Sequence, residues 1–220
     1  MADDAVMADV TSDAPGAKEK AEEVFEPNMA LAQEVFRQST APSAAGEASV
    51  RKAIEAGFMA PYYVHVCALF GWAEDAALLA RMRSQNAAEE AYLAAKEADA
   101  VANQGDMEVL DALFDAVRFH ARIGAKEAAF AAADAIRDRP KISTGKRIDA
   151  VMMKIRVSLF YVDVAACKDQ LAEAKKLAAD GGDWDRNNRL RARPASPRLE
   201  AGKGEPRAPR RAGPSTSRCS

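Results

Sequence analysis

Few side chains in this chain have the types and spacing to do chemistry. His65 and Cys67 stand two apart in FMAPYYVHVCALFGW, His120 lies in LFDAVRFHARIG, and Cys167 and Cys219 complete the thiols. A histidine beside a cysteine suggests a nucleophile with its base, or half of a metal site. On a helix, however, positions i and i+2 point about 200° apart, so these two side chains do not converge. His120 has no ligand types flanking it, and a structural zinc needs about four ligands. No phosphate-cradling glycine loop is visible, and no convergent acid, base and nucleophile. We therefore expect no catalytic residue, no cofactor and no metal, and look to surfaces for function.

The elements that would present such surfaces are helices. Between Asp111 and Asp180 the chain reads as two consecutive antiparallel helix pairs, LFDAVRFHARIG with AKEAAFAAADAIRDRP, then RIDAVMMKIRVSLFYVD with CKDQLAEAKKLAADGG. Leu113, Val117, His120 and Ile123 mark the stripe of the first helix. Val151, Met152, Ile155, Leu159 and Val162 recur at helical spacing in the third, and Cys167, Leu171, Ala174, Leu177 and Ala178 in the fourth. Gly124, the Pro140 region and Gly181–Gly182 supply stops. The turns at Gly124 and Asp163 lie about 39 residues apart, a period typical of helical-repeat solenoids. Ala116, Phe119, Ala128, Ala135 and Pro140 approximate the tetratricopeptide pattern, with alanine where helices cross closely. An ordinary helical bundle has the same periodicity. One pair cannot bury its apolar face alone and must stack on a neighbour.

Upstream, MALAQEVFRQ predicts a short helix with Leu31, Val35 and Phe36 on one face, APSAAGE a loop, and SVRKAIEAG a helix capped by Ser49 and ended by Gly57. Pro61 fits the first turn of a helix burying Tyr62, Val66, Leu69 and Phe70, with Gly71 and Trp72 closing it. Residues 74–102 predict a long, charge-rich helix with Leu78, Leu79, Met82, Tyr92 and Leu93 as its stripe.

Composition supports an all-α chain. Of 220 residues, 49% are hydrophobic, many of them alanine, and only 6% are aromatic. The net charge of −2 is uneven: residues 191–220 carry eight basic and two acidic side chains, leaving the rest acidic and without a nucleic-acid footprint. The basic tail is the one stretch suited to RNA or an acidic partner. No run approaches the length of a membrane span, and the acidic start is not a secretory signal. Three widely spaced cysteines, Cys67, Cys167 and Cys219, argue against a disulfide framework and for a reducing compartment. We expect residues 1–27 to be a disordered acidic segment, 28–190 a right-handed TPR-like helical-repeat solenoid, and 191–220 a disordered Pro/Arg-rich tail that holds half of the ten prolines.

Two segments carry a family resemblance. One is Met59-Ala60-Pro61-Tyr62-Tyr63, followed by Cys67 and Trp72; the other is GGDWDRNNRL, residues 181–190. Arg122-Ile123-Gly124, Lys126-Glu127-Ala128 and Arg147-Ile148-Asp149 stand between them in matching order. Over about residues 28–190 the chain resembles the amino-terminal part of the non-ATPase regulatory subunit 6 family of the 26S proteasome lid. In the second segment Asp183 reads as an N-cap, Trp184 as a staple onto the preceding pair, and Arg186 and Arg189 share one side. The resemblance implies a non-catalytic scaffold in ubiquitin-dependent protein degradation. It implies contacts to other lid subunits and to the ATPase ring, in a hetero-oligomeric complex of the cytoplasm and nucleus, with no membrane and no nucleic acid. The alternatives are a free-standing TPR-like peptide-binding adaptor and a scaffold like COP9 signalosome subunit 1. After Leu190 the helical pattern stops where the family continues into a winged-helix PCI module, so we expect a truncated or misread product.

Overall fold

A computed structural model describes residues 26–181, and among them all regular structure is helical. The order is α1 (Met29–Thr40), α2 (Ala44–Ala56), α3 (Ala60–Phe70), α4 (Ala76–Asn103), α5 (Asp106–Ile123), α6 (Lys126–Arg137), α7 (Thr144–Phe160) and α8 (Val164–Ala179). Each helix packs on the next in sequence, and α3, α5 and α7 also touch one another. This is the layering of a helical solenoid, with one row of alternate helices inside the stack. Of the expected disordered start, residues 1–25 lie outside the described residues, as do the string from Gly182 to Leu190 with Asp183, Trp184, Arg186 and Arg189, the basic tail and Cys219; Pro27, expected within that start, is buried.

Polar side chains cap five of the eight described helices, α1, α2, α4, α7 and α8. Asn28 Oδ1 accepts from the amides of Ala30 and Leu31, and Asp75 Oδ1 from those of Ala77 and Leu78. The start of α2 differs from expectation. Ser43, not Ser49, caps it by accepting from Gly46 N–H at 3.0 Å, so the expected APSAAGE loop is half helix. Both serines precede helix-forming residues, and only the earlier one leaves Val50 and Ile54 a full turn in from the end.

Four helix ends share one geometry. The amides of Met59, Trp72, Ala125 and Asp163 reach back five residues, to the carbonyls of Ile54, Cys67, His120 and Ser158. Each follows a left-handed residue: Phe58 (φ 49), Gly71 (φ 67), Gly124 (φ 73) and Val162 (φ 55). Valine is poorly suited to that region, because its Cβ crowds the following carbonyl. Val162 is 61% exposed, so its side chain contributes little burial in return. We expect Val162→Gly to raise stability by about 0.5–1 kcal/mol, the relieved strain less the entropy that glycine loses. An unchanged or lower chemical-denaturation midpoint would show that the turn is not strained.

The core is a chain of clusters. Leu31, Val50, Ile54, Tyr62, Tyr63, Val66 and Met82 fill the front, Leu110, Phe114, Val117, Ala133 and Ile136 the α5–α6 pair, and Ile148, Val151, Ile155, Ala174 and Ala178 the α7–α8 pair. Phe160 of α7 belongs to the front cluster, its ring 4.4 Å from that of Tyr62, and so ties the two ends together.

Several expected core positions are instead on the surface: Phe36, Leu69, Tyr92, Leu159 and Val162 are exposed. Because α7 is wrapped by α5, α6 and α8, its buried surface spans most of its circumference, and Leu159 falls on the remaining strip while Phe160 turns inward. The tight alanines of α6 are Ala129 and Ala133, not Ala128 and Ala135; Ala128 is half-buried and Ala135 exposed. One residue is about 100° of rotation, enough to turn a crossing position outward.

Candidate interaction surface

The residues singled out for chemistry are held apart. Cys67 is 2% exposed in the front core, where burial pushes its thiol pKa up, away from a reactive thiolate. His65, two residues earlier, is exposed on α3, its ring centre 5.8 Å from that of Tyr62 and 4.9 Å from that of Tyr161. His120 is half-buried on α5, and Cys167 is half-buried on α8 against the Ile148 cluster. Among the described residues no three His, Cys, Asp or Glu side chains gather as a metal-binding group. No helix there is long and apolar enough to cross a membrane.

Both imidazoles have pKa values below the ordinary one: half-buried His120 through burial, opposed by Glu90, and His65, whose side chain is exposed overall, through desolvation on the face against Tyr62 and Tyr161 and then the Lys126 charge. The unfolded chain then takes up protons first as pH falls. Stability from these groups should be full above the unfolded histidine pKa of about 6.5 and decline below it. We expect the melting temperature to fall between pH 7.5 and about 5.5, and the fall to lessen in His120→Gln. A melting temperature that rises over that range would contradict the assignment.

Charged clasps fix the stack. Arg122 on α5 reaches the carbonyl of Gly57 at 3.3 Å and Glu89 of α4 at 2.6 Å. Lys126 pairs with Asp163 at 2.7 Å across two helix starts, and this bond holds the Asp163 carboxyl below its usual range. On α6, Asp134 pairs with Lys154 of α7, and Arg137 with Glu173 of α8, both at 2.8 Å. These contacts make the helices one frame rather than a set of separate hairpins.

Two of the concave features among the described residues join segments distant in the chain. Met29, Ala32, Gln33, Phe36, Arg37, Leu159 and Val162 line a groove of about 570 Å³ between α1 and the end of α7. Its apolar wall includes Phe36, 57% exposed. The second is a notch of about 470 Å³ between the start of α5 and the α6–α7 connection, lined by Met107, Leu110, Ile142, Arg139, Lys141, Lys146, Pro140, Ser143 and Asp106. Neither feature is legible along the chain, because each joins segments that only the stacking brings together. The exposure of Phe36 and Leu159, read as core in the sequence, is the local trace of the first.

A family model described as 26S proteasome subunit RPN7 matches residues 75–195. The 26S proteasome non-ATPase regulatory subunit 6 of Caenorhabditis elegans is 38% identical over 134 residues, covering 61% of this chain and 32% of the relative. The protein of that name from Dictyostelium discoideum is 30% identical over 167 residues, 75% of this chain and 44% of the relative. That from Oryza sativa subsp. japonica is 34% identical over 144 residues, 66% and 37% respectively. The chain thus spans between about a third and under half the length of the curated relatives it matches.

Proposed function

Because the chain belongs to the 26S proteasome subunit RPN7 family, we propose that it is a non-catalytic scaffold of the proteasome regulatory lid, acting in ubiquitin-dependent protein degradation through protein contacts. The family match over residues 75–195 is the observation that carries this reading. Its partners would be other lid subunits and the ATPase ring, in a hetero-oligomer of the cytoplasm and nucleus. The physical support is the form of the surface. A clasped row of helices offers a long, stiff face, and large interfaces of modest apolarity are what subunits of an assembly use.

The α1–α7 groove is an apolar part of that face open to a neighbouring subunit. The test is affinity capture of the tagged chain from cells that express it, with lid subunits quantified by mass spectrometry. Enrichment of lid subunits supports the reading; recovery of a single unrelated peptide-bearing protein supports a free-standing adaptor instead. Phe36→Glu with Val162→Glu should leave the melting temperature nearly unchanged, both side chains being exposed. It should lower lid recovery by about tenfold, the size expected for burying a charge in an interface core. Full recovery by the double variant would place the contact elsewhere on the stack.

A further inference from the structure

The notch at the start of α5 combines an apolar floor with a basic rim. Its floor is apolar: Met107 is 59% exposed, beside Leu110 and Ile142. Its rim is basic: Arg139, Lys141 and Lys146 stand against one carboxylate, Asp106. None of these three cations forms a salt bridge among the described residues. Lys146 lies in the first turn of α7, which carries no acidic residue. A cation at a helix N-terminus opposes the backbone dipole, an arrangement that an anion in the notch would reverse. Lys141 is fixed at the rim in the left-handed region, φ 62. The site therefore fits an acidic segment with apolar side chains.

The chain carries one. Residues 1–25 hold seven acidic side chains against two lysines, and Val6, Met7 and Val10 are interleaved with Asp3, Asp4, Asp9 and Asp13. The described chain begins beside α5, where Glu26 lines a recess with Phe119 and Arg122. From Phe119 back to Met107 is about 18 Å along the helix. At random-coil dimensions 25 residues span about 25–30 Å root-mean-square, so the notch lies within reach of a chain of this length. Tethering at that distance gives an effective concentration in the millimolar range, above that of most free competitors.

We infer that the acidic amino-terminal segment of this chain docks in its own α5/α6–α7 notch, with apolar side chains on Met107, Leu110 and Ile142 and carboxylates against Arg139, Lys141 and Lys146. The docking is electrostatic at its rim, so it weakens with salt. It is independent of the proposed scaffold role, which concerns contacts to other subunits.

Zero-length carbodiimide coupling of the full chain, read by peptide mass spectrometry, tests it. Mixed light and isotope-labelled protein separates links within one chain from links between chains. Lys126–Asp163, paired at 2.7 Å, is the internal control for coupling. The expected result is intramolecular links from Lys141 or Lys146 to carboxylates of residues 1–25. These should fall roughly fivefold in Met107→Asp with Arg139→Glu, the scale of reversing local surface charge, while the control link persists. Four results overturn the inference: links from that segment only to Lys203 of the tail, links only to other lysines, links only between chains, or no link from the segment while Lys126–Asp163 couples.

Discussion

Gly124→Val should unfold the stack at a temperature lower by on the order of 10 °C. Two penalties coincide at this residue. Its φ of 73 lies in the left-handed region, which costs an L-residue about 1–2 kcal/mol. A Cβ there would stand 2.7 Å from Tyr62 Cβ and 3.2 Å from Tyr161 Oη. Neither neighbour yields easily, since Tyr62 is buried and the Tyr161 hydroxyl donates to the Gly124 carbonyl itself. Overpacking of this kind adds about 1–3 kcal/mol, and at this chain size each kcal/mol moves the midpoint by about 2–4 °C. Gly71 is the control. Its φ is 67, but a Cβ there meets nothing within 4 Å. Gly71→Ala should therefore show the backbone penalty alone, about 1–2 kcal/mol. Equal effects at the two glycines would mean that the Tyr62–Gly124–Tyr161 contact does not hold the front helices to the repeats.

Asp134→Ala should cost about 2–4 kcal/mol, less than a fully buried pair because the carboxylate side is partly open to solvent. Lys154 is only 5% exposed, with its ammonium 2.8 Å from Asp134 and 5.2 Å from the centre of the Phe130 ring. Removing the carboxylate leaves a buried cation facing an aromatic ring, and it also removes the 2.8 Å pair between Asp134 and Arg137, which keeps Asp138 and Glu173. Lys154→Met keeps the volume and removes the charge, and should lie within about 1 kcal/mol of the parent. In that background Asp134→Ala should cost only its partly exposed pair with Arg137, under about 1 kcal/mol. Urea denaturation of the four proteins closes the cycle. A severe loss in Lys154→Met, or an unchanged effect of Asp134→Ala in its background, would show that the pair stabilises by its own attraction rather than by avoiding an unpaired charge.

Much of the architecture was legible in the sequence because helices announce themselves locally. The stop at Gly124, the proline in the first turn of α3 and the stripe Val151–Ile155–Ala174–Ala178 all depend on neighbours within a turn or on one repeating face. What escaped depends on rotation and on distant segments. Ala129 and Ala133, rather than Ala128 and Ala135, form the crossing because α6 sits between α5 and α7, and an alanine-rich stretch leaves that rotation unspecified. Leu159 and Phe160 are both large and apolar, and only the position of Tyr62 decides which one turns inward. The groove and the notch join α1 to α7 and α5 to the α6–α7 connection. Their lining residues read in sequence as an ordinary stripe and an ordinary loop.

We propose that this stacked-helix chain acts by binding proteasome lid subunits. Co-expression of the full chain with lid subunits, followed by native mass spectrometry, tests it directly. The expected result is a stable species containing the 23.6 kDa chain together with at least one lid subunit. In Phe36→Glu with Val162→Glu that species should be depleted, while circular dichroism and melting stay those of the parent. A chain that is folded and helical by those same measures, yet appears only alone when every lid subunit is present, would contradict the account.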